Sequence, residues 1–182
     1  MKHRKKSEIK QAVNQEMTEQ LLQQFPFLRE IYRELNPKAD ISLHSHYLSL
    51  EEVHTEMMTY SAFDRYSEKE KKKYLKREKN ILHFFRDLFE EYGKQLYLFD
   101  IKNEGTIHFQ QMQLSKDFLK ECTKSIREEE FLYLCIPELN LVLTGTWDQE
   151  NFLFYNGDES KNLSQIEEIA NKNRLYLLRR DT

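Results

Sequence analysis

The stretch Ile81-Leu-His-Phe-Phe-Arg-Asp-Leu-Phe-Glu-Glu-Tyr-Gly93-Lys-Gln-Leu-Tyr-Leu-Phe-Asp100 contains the change of period that decides the fold. Up to Tyr92 the apolar residues Ile81, Leu82, Phe84, Phe85, Leu88, Phe89 and Tyr92 fall on one broad helical face. After Gly93, a helix-ending residue, Gln95–Asp100 is a short apolar run of strand length. All four glycines of the 182-residue chain lie between Gly93 and Gly157, and the 92 residues before them contain none. Glycine supplies the backbone of tight turns, so the glycine-free part reads as successive helices and the remainder as strands joined by turns. The expected fold class is α+β. A helical N-terminal half, 1–93, packs on a mostly antiparallel sheet of about six strands with two short helices, 94–182, the two forming one compact domain.

Upstream of the quoted stretch, Ser67-Glu-Lys-Glu70 is a capping box that opens the longest helix. Ser49-Leu-Glu-Glu52 is a second, predicting a helix from about Leu50 to Tyr60. Residues 38–48 read as irregular or briefly extended. Ile9, Val13, Met17, Leu21, Leu22 and Phe25 recur at helical spacing, which predicts a first helix from near Ser7, divided at Pro26. Leu28, Ile31, Tyr32 and Leu35 continue it to the stop at Asn36-Pro37.

Downstream, Gln95–Asp100 and Thr106–Gln110 form a hairpin around Asn103-Glu-Gly105. A short helix opens at Ser115. Strands follow at Phe131–Ile136, Leu141–Thr144 and Phe152–Tyr155, then a helix at Leu163–Ala170 and a last strand at Leu175–Leu178.

Composition narrows the function classes. Hydrophobic residues make up 39% and aromatics 13%, enough for a core despite 32% charged residues. The net charge of −3 is unevenly spread: residues 1–80 carry 16 basic and 13 acidic residues, and 121–182 carry 7 and 12. Two cysteines, Cys122 and Cys135, fit a reduced compartment, and Cys135 reads as a buried small hydrophobe. Met1-Lys-His-Arg-Lys-Lys6 is followed by no apolar segment, and no run approaches membrane-span length, so the expectation is a cytoplasmic protein without membrane contact. No two glycines stand within ten residues of each other, which argues against a phosphate-cradling loop. A Gly-x-Ser-x-Gly nucleophile elbow is missing as well. No cofactor is expected.

Four residue groups are candidates for function. His44, His46 and His54 are the metal-ligand suspects: His-x-His in an extended segment points both rings to one side. Glu51 and His54 have the Glu-x-x-His spacing of carboxylate-bridged metal bundles, but the second copy such sites need is missing. Asp100-Ile-Lys102 is the acidic-x-Lys tripeptide that metal-dependent nucleases carry on a strand, with Asp87, Glu90 or Glu91 as the second carboxylate. Lys71, Lys72, Lys73, Lys76, Arg77 and Lys79 form a basic run that can meet nucleic-acid phosphates, although Glu68, Glu70 and Glu78 are interleaved with the run. Glu128, Glu129, Glu130, Trp147, Asp148 and Glu150 combine acids with an aromatic at a turn, a pattern suited to a basic protein partner.

Bacterial immunity proteins are of this size and type, and the leading expectation is a protein-binding protein of that kind, neutralising a basic toxin or enzyme. A metal-dependent nuclease and a nucleic-acid-binding protein are the alternatives.

Overall fold

The computed structural model describes residues 10–29, 37–101, 106–145, 149–155 and 160–180. It is α+β, as its sequence predicts. Among the described residues eight strands form one sheet: β1 (Lys10–Ala12), β2 (Ala39–Ser42), β3 (Tyr97–Ile101), β4 (Ile107–Met112), β5 (Tyr133–Ile136), β6 (Leu141–Gly145), β7 (Asn151–Tyr155) and β8 (Tyr176–Arg179). Their order is β1-β4-β3-β5-β6-β7-β2-β8, and every pair is antiparallel. The helices are α1 (Gln15–Gln24), α2 (Leu50–Glu56), α3 (Glu68–Tyr92), α4 (Ser115–Ile126) and α5 (Ser160–Lys172).

Alternation along the strands gives the sheet two apolar faces. Leu98, Leu134, Ile136, Leu141, Leu143 and Leu153 point to the face covered by α3, α4 and α5. There Ile81, Phe84, Phe85 and Leu88 of α3 meet Phe118 and Cys122 of α4 and Leu163, Ile166 and Ala170 of α5. Tyr97, Phe99, Phe109, Cys135, Val142 and Phe154 point the other way, onto Leu21, Phe25 and Leu28 of α1 and the 3-10 turn Pro26–Arg29 that follows it. The sheet is therefore the middle of three layers. Cys122 and Cys135 are both buried and free, one in each apolar layer, and burial raises both thiol pKa values.

The six strands expected beyond Gly93 are all present, and the β3–β4 hairpin has Ile101 opposite Ile107. The N-terminal part departs from the helical expectation in two places, at the start of the first helix and at the end of the second. Residues 10–12 are strand β1, paired with β4, and α1 starts only at Gln15, where the Asn14 side chain accepts from Met17 N–H. The helical spacing of Val13, Met17 and Leu21 is real, but the preceding residues are claimed by the edge of the sheet. Residues 39–42 take the briefly extended alternative: β2 is wholly buried between β7 and β8, with Asp40 inside the protein. Its charge is met by Arg180, whose guanidinium Nε and Nη2 donate to the two carboxylate oxygens at 2.9 and 3.0 Å. The helix expected to run to Tyr60 ends at Glu56, and a separate 3-10 turn covers Tyr60–Arg65. The expected continuation through Ile31, Tyr32 and Leu35 lies outside the described residues.

Candidate functional site

Helix α2 is short, opens on the Ser49–Glu52 capping box and buries none of its residues. Ser49 N–H and Oγ–H both donate to the Glu52 carboxylate at 2.9 Å, and His46 Nε2 lies 3.2 Å from the same carboxylate. These contacts hold the Glu52 pKa down to about 2, the Ser49 backbone contributing most. At the other end, Glu56 meets α3: Lys73 Nζ and Arg77 Nη2 each donate to its carboxylate at 2.7 Å, and Arg77 Nη1 donates to its carbonyl at 2.6 Å. Polar contacts at its Glu56 end, rather than fully buried side chains, attach α2 to α3.

Between α2, α3 and the ends of β2 and β7 lies a cavity of about 180 Å³, walled by Leu43, Leu48, Val53 and Met57 and bordered by His44, Tyr47, Arg77 and Glu150. Ser42 Oγ donates to Glu150 at 3.4 Å and accepts from His44 N–H at 3.1 Å. Burial, followed by the nearby Arg77 guanidinium, lowers the His44 pKa below the ordinary histidine value. Tyr47 and Met57 of this cavity are exposed by 47 and 46%, and Leu50 at the start of α2 by 84%.

This region gathers residues from three of the four sequence candidates: His44, the basic pair Lys73 and Arg77, and the acidic Glu150. The three histidines do not converge. His44 lines the cavity, His46 bonds Glu52 and His54 is exposed on α2. Among the described residues no group of three or more His, Cys, Asp or Glu is placed to hold a metal ion.

The other candidates lie elsewhere. Asp100 is half-buried on β3 and lines a cavity of about 110 Å³ with Gln110, Glu121, Glu130 and Tyr133. Asp87 faces α5, where Asn173 Nδ2 donates at 2.9 Å and Lys172 Nζ lies 3.0 Å away. Glu90 and Glu91 are exposed near the end of α3 and border a different, open cavity with Lys94 and Gln113. Lys102 lies outside the described residues.

In the acidic group, Glu128 has an internal task. It occupies the left-handed position after α4, with φ 62°, where glycine is usual. Its N–H donates to Ser125 O and that of Glu129 to Lys124 O, the two bonds of a Schellman ending. Its carboxylate then accepts from the N–H groups of Tyr60 and Ser61 at 2.6 and 3.2 Å, capping the Tyr60–Arg65 turn. That anionic cap explains a non-glycine residue there. Glu130 accepts from Lys124 at 3.0 Å, and Glu129 is exposed. Trp147 and Asp148 lie outside the described residues.

Sequence reasoning missed Tyr47, Leu50 and Met57. Leu50 sits inside the recognised capping box, and a leucine at the start of a helix carries no local signal that it is exposed.

No helix among the described residues is long and apolar enough to cross a membrane. Neither a family model, nor a curated protein, nor a solved structure matches the chain.

Proposed function

We propose that this is a protein-binding protein that engages its partner through the α2 face. The observation that carries this reading is the exposure of Leu50 on α2, a helix with no buried residue, together with that of Tyr47 and Met57, which flank α2 and line the cavity beside it. Apolar side chains grouped at a surface and rimmed by polar ones mark association sites, and a concave centre accepts an anchor residue. Glu150 lines the cavity and Glu51 is exposed on α2, while the cations Lys73 and Arg77 are already engaged by Glu56. That arrangement favours a basic partner, in keeping with a neutraliser of a basic toxin or enzyme.

The test is a pull-down from the native cell extract with the tagged chain and with a Leu50→Asp/Met57→Asp variant. The expected result is one basic protein recovered in stoichiometric amount by the wild type and lost by the variant, at equal melting temperature. Equal recovery by both would remove the α2 face from the account.

A further inference from the structure

Helix α3 carries the basic run, and the fold separates its cations from the acids interleaved with them. Glu70 turns back to Ser67 in the capping box, its carboxylate accepting from Ser67 N–H at 2.7 Å. Glu78 is buried, and Arg127 Nε and Nη2 donate to its two oxygens at 2.8 and 2.9 Å. Glu68, at the first position of the helix, accepts from Lys71 at 3.3 Å. Lys73 and Arg77 lean toward α2 and share Glu56.

What remains outward is Lys69, Lys72, Lys76 and Lys79, all exposed and spaced three, four and three residues apart. That spacing is one ridge of a helix. The ridge is opposite the buried line of Tyr74, Ile81, Phe85 and Leu88. At 1.5 Å per residue it is about 15 Å long. No carboxylate lies on the ridge between its first and last lysine.

We propose that this ridge binds the phosphate backbone of duplex nucleic acid. A rod of about 15 Å runs alongside about nine duplex charges at one per 1.7 Å, more than four lysines need. Lysine is a point charge without the planar fork that reads guanine, so binding is independent of base sequence. A lipid surface would take a helix by sinking apolar side chains beside its cations. The apolar face of α3 is committed to the sheet, leaving only Leu75, 46% exposed, near the ridge.

Fluorescence anisotropy of the full chain with labelled 20-base-pair DNA and RNA duplexes, between 25 and 200 mM salt, tests the proposal. The expected log–log slope of affinity against salt is about −3 to −4, from 0.9 per phosphate contact at four lysines. Lys72→Ala/Lys76→Ala lowers affinity at least tenfold at low salt and reduces the slope by about two. Lys72→Arg/Lys76→Arg retains both affinity and slope. No binding to either duplex at 25 mM salt, or equal binding by the alanine variant, overturns the proposal. Tighter binding to vesicles of neutral and anionic phospholipid than to either duplex also overturns it, in favour of a lipid surface. Leu50→Asp leaves duplex binding unchanged, so failure here and failure of the α2 reading are separate results.

Discussion

Helices α2 and α3 both open on a serine–glutamate capping box, yet α3 buries eight side chains and α2 none. The same local chemistry starts both helices, and only the apolar residues that follow determine which becomes part of the core. Their charged contacts repeat the contrast. Asp87 on α3 is 5% exposed and held by Arg86, Lys172 and Asn173. Glu56 at the end of α2 is 36% exposed and held by Lys73 and Arg77. One clamp joins two helices of the same core layer, α3 and α5. The other ties a surface flap to the body, leaving its apolar side chains available. Segments held by few buried contacts open at lower free energy than the core, and binding surfaces are drawn from them.

Four variants break or sharpen that contrast. Phe118→Ala empties a site where Phe85 and Phe89 pack on the lost ring. It should cost about 3–5 kcal/mol in denaturant unfolding, a loss no substitution within α2 should match.

The Asp87 clamp should show in the pH dependence of stability. Burial opposes ionisation there, but the bonds from Asn173, Arg86 and Lys172 outweigh it and lower the pKa from 3.8 to about 2. A depressed carboxylate stabilises the fold above its unfolded pKa and loses that contribution as pH falls through the folded one. The wild type should therefore lose about 2 kcal/mol between pH 4 and pH 2 from this group, and Asp87→Asn should lack that portion of the slope.

Gly145→Ala probes the packing of β6 on α4, since a Cβ at Gly145 would collide with Ser125 Oγ. A cost of about 1–2 kcal/mol is expected, relieved by adding Ser125→Ala. Absence of that rescue in thermal melts would place the strain elsewhere.

Glu56→Gln should have the smallest global effect, under about 1 kcal/mol, because its pairs are partly solvated.

Much of this contrast is legible in the chain. Ser49, Ser67 and the apolar runs after Gly93 identify both capping boxes and six of the strands, since caps and short apolar segments are local signals. Strand β1 is not legible and β2 is legible only as one of two alternatives, because long-range pairing creates them: Lys10–Ala12 needs the edge of β4, and the charged Asp40 needs Arg180, 140 residues away. At the site, the basic run and Glu150 were visible, but the directions of their side chains were not. Only the fold buries Glu78 against Arg127, frees the lysine ridge, and turns Glu128 into a cap for Tyr60 and Ser61. Leu50 escaped notice because a leucine in a helix reads as core until the helix proves to have nothing above it.

Hydrogen exchange read peptide by peptide tests the contrast most directly. The account predicts that amides of residues 53–57 exchange at least a hundredfold faster than those of 81–92, and faster still in Glu56→Gln, while 81–92 is unaffected. Equal protection of the two segments, or a Glu56→Gln effect that spreads equally into α3, would contradict a flap held apart from the core by its polar clamp.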